Sequence, residues 1–271
     1  MNAGLVLTPN KRIAGLPILR AGDTPEYFNF MVYGESGVGK TRLLGSSDLV
    51  PALRKVLFLD IEGGTRSIRE LYPNVETVRI TSFHQIKAVY EEIRAGNSGY
   101  STVVLDSVNE MQKFNMNNVM LDVFKEHPER DIDVPSMREW GKNLEQMRRY
   151  IRAFRDLPIN ALFTCLAVSE KDEKTGKVNK RPGLSGKLSA EIAAFLDIVC
   201  YMYVKEVDNE EGKKEQRRMI LTGATDQYVA KDRTAKLPMV MAQPTMVEIY
   251  ELIKPTTQHT NINNETETAN V

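Results

Sequence analysis

The chain has 271 residues, 42% of them hydrophobic and 27% charged, which is enough for one large domain with a substantial core. Lysine plus arginine and aspartate plus glutamate both number 36, so a global pull on nucleic acid is excluded and any such attraction must come from a local patch. No run approaches the roughly 20 apolar residues of a membrane span, and "MNAGLVLTPNKRIAG" is too weakly apolar for a secretory signal, so a soluble, cytoplasmic protein without a membrane partner is expected.

From about residue 27 to 205, apolar runs alternate with helix-period stretches, the pattern of βαβ units in an α/β fold with a mainly parallel sheet. Strands are expected at 27–33, 55–60, 75–80, 101–106, 160–168, 197–204, 217–223 and 226–231. The last three follow in quick succession and read as antiparallel hairpin strands on one edge. Residues 113–135 begin as helix and end as loop at "HPERDIDVP". In "SMREWGKNLEQMRRYIRAFRD", Trp140, Leu144, Met147, Ile151 and Phe154 recur on one helical face, a core stripe. Arg148, Arg149, Arg152 and Arg155 lie off it and read as a solvated face. A final helix, "PTMVEIYELIK", precedes a polar tail. The expected organisation is an N-terminal extension at 1–25, a core at 26–254 and a disordered tail at 255–271. Cys165 and Cys200 sit in apolar strands and read as reduced core thiols. His84, His127 and His259 lack ligand spacing.

The stretch "YGESGVGKT" fits G-x-x-x-x-G-K-[ST], with Gly34, Glu35, Ser36, Gly37, Val38, Gly39, Lys40 and Thr41 between a strand and a helix. Glycines bare the backbone so that successive N–H groups face one hollow, and the helix N-terminus adds partial positive charge. Phosphate is the guest this favours. Lys40 would reach the terminal phosphates of a nucleotide and Thr41 would ligate Mg²⁺.

Hydrolysis also needs a carboxylate near the metal and another to prepare water. "TVVLDS" supplies Asp106 at a strand end, but "VNEM" places no acid directly after it. "VLFLDIEGGT" offers Asp60 and Glu62 at another strand end, although acids there also suit a strand cap before a Gly-Gly turn.

The order GESGVGKT, FLDIEGGT, VVLDSVNEM resembles the RecA-type branch of P-loop ATPases over about residues 27–235. Within it the chain is most similar to small phage-encoded RecA-like ATPases filed under the AAA label, which act in single-strand annealing and recombination. The resemblance implies an Mg²⁺-dependent ATPase. Glu62 would activate water, Asp106 would associate with the metal, and Lys40 with Thr41 would form the P-loop pair. It further implies that Lys231 and Arg233 in "YVAKDRT" reach a neighbouring subunit's nucleotide in a ring or filament. RecA carries a glutamine at the end of the strand matching 160–168. Here Thr164 and Ser169 are the only hydroxyls and no glutamine is present, so coupling between ATP state and a DNA loop is expected to be weak or differently wired.

Residues 174–187, "KTGKVNKRPGLSGK", hold Lys174, Lys177, Lys180, Arg181 and Lys187 and no acid. By the resemblance this is a mobile axial loop contacting single-stranded DNA through its backbone, since no aromatic residue is present for stacking. A single-strand binding protein is a further partner the resemblance allows. A solvated lysine-rich hairpin is the plainer reading of the residues alone. Two rivals remain open: a P-loop kinase acting on a small molecule, for which the basic loop would be a lid, and a nucleotide-dependent scaffold or helicase-loading factor.

Overall fold

The computed structural model describes residues 12–19, 27–171, 173, 176–209 and 212–254. The expected tail and Lys174 lie outside the described residues, as does most of the expected N-terminal extension. From that extension, β1 (Arg12–Ile13) and β2 (Leu16–Pro17) form a small antiparallel hairpin.

The main sheet contains β3 (Asn29–Gly34), β4 (Val56–Asp60), β5 (Glu76–Arg79), β6 (Thr102–Asp106), β7 (Asn160–Lys171), β8 (Val178–Pro182), β9 (Ile198–Asp208), β10 (Lys214–Leu221), β11 (Lys231–Asp232) and β12 (Val240–Ala242). Its order is β12-β10-β9-β3-β7-β6-β4-β5, with β11 beside β9 and β8 beside β7. Every pairing from β9 across to β5 is parallel. The strands β8, β10, β11 and β12 pair antiparallel. The chain is thus an α/β P-loop fold, a mostly parallel sheet with antiparallel strands towards its C-terminus.

The central strands are continuous apolar runs because both faces are covered. Along β3, Met31 and Tyr33 enter one core with Leu57, Leu105 and Phe163, while Phe30 and Val32 enter the other with Phe58, Val104 and Leu162. The first core is closed by α2 (Phe83–Arg94), α3 (Val108–Glu126), α4 (Met137–Arg155) and α5 (Leu188–Phe195). The second is closed by α1 (Lys40–Gly45) and α6 (Met246–Ile253), through Leu43, Leu44, Met246 and Ile249. Polar caps set where helices begin. Thr245 Oγ1 accepts from Glu248 N at 3.1 Å, and Ser136 forms a reciprocal capping box with Glu139.

Several expectations change. The strand expected at 197–204 forms an antiparallel hairpin with β10 but is itself interior, because its other side runs parallel to β3. Of 226–231, only Lys231 belongs to a strand, while β12 adds an edge that the sequence does not signal. Along α4, Met147, Ile151 and Phe154 are fully buried but Trp140 is 41% exposed. The stripe runs on past the core it serves, so its first turn is uncovered. Arg148 is not part of a solvated face: it grips Glu191 of α5 through Nε at 2.6 Å and Nη2 at 2.8 Å. Arg152 lies 4.2 Å over the Phe195 ring, a cation–π contact. These arginines fasten α4 to α5, a partner too far along the chain for helical spacing to reveal. Both cysteines are free and buried, and burial pushes the Cys165 thiol up to about 12.

One side chain sets how the strands start relative to one another. Asn160 accepts from Phe28 N at 2.9 Å and donates to Ser101 O at 2.8 Å, linking the entries of β3, β6 and β7. Asn160→Ala leaves both backbone groups without that partner and should cost about 2 kcal/mol. Urea unfolding should show a lower midpoint with unchanged slope; an unchanged midpoint would mean that the link contributes nothing.

Candidate functional site

The site forms where β3 ends. Gly34 has to be glycine, because a Cβ there would fall 2.3 Å from the Met202 carbonyl oxygen on β9. Gly39 closes the loop with φ of 104° as the N-cap of α1, a conformation that side chains disfavour. Between them the chain turns back so that Lys40, 8% exposed, can donate to Gly34 O at 3.0 Å and Glu35 O at 2.8 Å. Burial lowers the pKa of this ammonium, and the nearby charges of Glu62 and Asp106 draw it back up.

Asp106 ends β6, two strands from β3, and is 3% exposed. Its carboxylate accepts from Thr41 Oγ1 at 2.9 Å and from Thr164 Oγ1 on β7. Burial raises its pKa, and the two hydroxyl donors oppose that shift. Among the described residues no cation forms an ion pair with it. A buried carboxylate that is hydrogen-bonded by hydroxyls and ion-paired with no described cation is a natural ligand for a divalent cation. Gly64 keeps that corner open, since a Cβ there would lie 3.0 Å from Asp106 Oδ2 and 3.2 Å from Thr41 Oγ1. Thr41 and Asp106 therefore fit Mg²⁺, and the bare loop fits phosphate.

The two acids of "LDIE" separate into different tasks. Asp60 accepts from Gly63 N at 2.7 Å and Thr65 Oγ1 at 2.8 Å, and Arg79 lies 3.5 Å away, so it builds the turn. Glu62 is exposed. Its backbone N–H and that of Ile61 donate to Asp106 O at 3.1 and 2.8 Å, which fixes it beside β6. Lys40, Thr41, Asp106 and Glu62 thus share the edge where the parallel strands end.

Lys231 and Arg233 lie elsewhere. Lys231 is opposite Val199 at the beginning of β9, near the edge where β3 starts, so neither residue serves its own chain's loop. Lys231 Nζ donates to Ala193 O at 2.6 Å and Leu196 O at 3.0 Å, capping the end of α5, while Arg233 pairs with Asp197 at 2.6 Å.

The basic stretch is not the continuous mobile loop expected, because β8 pairs with an extended β7 from Ala167 to Lys171. The fold also supplies the acids the stretch lacks: Lys180 pairs with Glu35 of the P-loop, Arg181 with Glu170 at 3.1 Å and Lys177 with Asp226 at 3.3 Å. Lys187 is exposed at the start of α5. Aromatic rings arrive from β9 and from the segment before β11. Tyr201 packs on Tyr203 and Tyr228 with centroids 5.8 and 4.7 Å apart, beside the backbone bond from Lys180 N to Gln227 O.

Four contributors escape sequence reasoning. Thr164 orients Asp106. Asn109 accepts from Leu166 N at 2.6 Å and donates to Gly183 O, and Gln112 accepts from Ser185 N at 3.0 Å, so α3 holds both arms of the hairpin. Arg218 of β10 donates to Val38 O at 3.1 Å. The hydroxyl of Thr164 in its strand was a visible signal; the other three had none.

Residues 26–234 match the family model AAA_24, described as an AAA domain. The chain belongs to this family. No curated protein matches this AAA domain significantly. Among solved structures it is similar to the RadB recombinase, at 15% identity and a TM-score of 0.43, over 79% of this chain and 84% of that one. It is also similar to an ATPase from the type III secretion system of pathogenic bacteria, at 16% identity and a TM-score of 0.43, over 64% and 51%. A third is the Legionella pneumophila ATPase DotB, at 13% identity and a TM-score of 0.31, over 73% and 46%. Among the described residues no helix of the AAA domain is long and apolar enough to cross a membrane.

Gly64→Ala tests the metal corner. Its backbone is ordinary, so folding should persist, but the added methyl crowds Thr41 and Asp106. Affinity for nucleotide in Mg²⁺ should fall about tenfold or more, with an unchanged melting temperature. Titration of a fluorescent nucleotide with and without Mg²⁺ measures it, and equal affinities for variant and wild type would remove the metal from this corner.

Proposed function

We propose that this AAA domain hydrolyses ATP with Mg²⁺ and couples turnover to single-stranded DNA in a self-assembled ring or filament. The contact between Thr41 and Asp106, with Glu62 on the same rim, is the observation that carries the ATPase reading. Lys40 leaves the carbonyls of Gly34 and Glu35 and turns its ammonium to the terminal phosphates, joined by the amides of residues 36–41. Thr41 and Asp106 would hold Mg²⁺, which when bound would offset phosphate charge. Glu62 accepts a proton from the attacking water as that water's oxygen bonds to the terminal phosphorus and the bond from that phosphorus to the bridging oxygen of the β-phosphate breaks, giving inorganic phosphate and ADP. ADP leaves with its new charge balanced by Lys40.

The DNA reading is supported by the basic β8 region and by Tyr203 and Tyr228, which lie half-buried near it and could stack bases. One observation favours the scaffold reading instead: Lys177, Lys180 and Arg181 already have acidic partners. Lys231 and Arg233 serve a neighbour's nucleotide in this proposal, and Lys231 must then give up the α5 carbonyls.

Turnover with and without a single-stranded oligonucleotide, at two salt concentrations, separates these readings. DNA should stimulate hydrolysis, and log affinity should fall with log salt at a slope of about −2 to −3.5 per protomer. Flat, unstimulated turnover favours the scaffold. Glu62→Gln should keep ATP bound while turnover falls about a hundredfold or more. In mixtures, Arg233→Ala protomers should regain activity from Glu62→Gln partners if the site is shared.

A further inference from the structure

Arg218 reaches the P-loop from two strands away. Its backbone is pinned in β10, where its carbonyl accepts from Gln243 N at 2.7 Å. Its Nε donates to the Val38 carbonyl at 3.1 Å, and the Cβ position of Gly39 falls 2.8 Å from Nε and 3.1 Å from Cδ. A side chain at residue 39 is disfavoured by the backbone conformation and would also displace this arginine.

The charge of Arg218 is unusual in its surroundings. Its neighbour along the strand, Arg217, pairs with Glu215. Among the described residues no carboxylate pairs with Arg218, which is half-buried and bonded to a neutral carbonyl. Partial burial of an unpaired guanidinium is unfavourable until an anion comes close. The site it borders is the one built to receive an anion.

We infer that Arg218 is a nucleotide-positioning residue supplied by the same chain, completing the phosphate site from outside the loop. Through Nε it holds the Val38 carbonyl outward, which leaves the amides around Gly39 turned to the hollow. Its charge adds to that of Lys40 when polyphosphate is bound. The inference rests on the P-loop reading above and differs from the role of Lys231 and Arg233, which would act on a neighbour.

The test is titration of ribose-labelled fluorescent ADP into dilute wild-type protein and the variants Lys40→Ala, Arg218→Met and Arg218→Lys. Melting temperatures are measured without nucleotide. Arg218→Met keeps the apolar stem and should bind about tenfold more weakly, while Arg218→Lys, which keeps the charge, should recover part of the loss. Melting temperatures should stay level, and the loss should not depend on protein concentration. Wild-type affinity in Arg218→Met overturns the inference. So do equal losses in both variants accompanied by lower melting temperatures, which assign Arg218 a purely structural role. If wild-type protein binds no labelled ADP, the P-loop reading falls and this inference with it.

Discussion

The hydroxyl of Thr41 and the carboxylate of Asp106 meet at 2.9 Å, although β7 stands between the strands that lead to them. This short contact fixes the helix that follows the phosphate loop against the end of β6. It also decides the state of a carboxylate with almost no access to water. Two hydroxyls donate to it and, among the described residues, no cation pairs with it, so burial pulls it towards the protonated form. A divalent ion changes that balance by supplying the missing charge. The fit of this corner to a metal thus follows from what the fold withholds from Asp106.

The same edge of the sheet carries the basic hairpin. Glu35, inside the phosphate loop, pairs with Lys180, and the Tyr33 hydroxyl donates to the Lys180 carbonyl at 3.2 Å. From the other side, Asn109 and Gln112 follow Asp106 on α3 and hold the strands on either side of the hairpin. The candidate nucleotide site and the hairpin contacts therefore draw on neighbouring residues of the same two segments. A glutamine at the end of β7 is unnecessary for that proximity. The acids that neutralise Lys177, Lys180 and Arg181 also bear on the proposed contact with DNA: its phosphates would have to compete with carboxylates already in place.

Motif and periodicity disclosed those features whose cause is local. The bare loop from Gly34 to Gly39 was legible because its conformation is set by the glycines themselves. The interior strands were legible because a strand covered on both faces must be apolar throughout. Met147, Ile151 and Phe154 were legible because helical spacing places them on one face. Trp140 shares that spacing yet is exposed, since periodicity records which way a residue faces and not whether anything lies opposite. The basic stretch misled for a related reason. Its charge is a property of the segment, while its neutralisation comes from Glu35, Glu170 and Asp226.

By itself the sequence determined the phosphate loop, the two acid-bearing strand ends and the alternation that makes an α/β sheet, because each depends on neighbours within a few residues. Tertiary structure alone decided that Asp60 would build a turn while Glu62 faces the rim, and that β9 would run inside the sheet. It alone brought Thr164 to Asp106 and Arg218 to Val38. These pairings join residues 58 and 180 positions apart, and the pairing of strands, which no local spacing encodes, selects them.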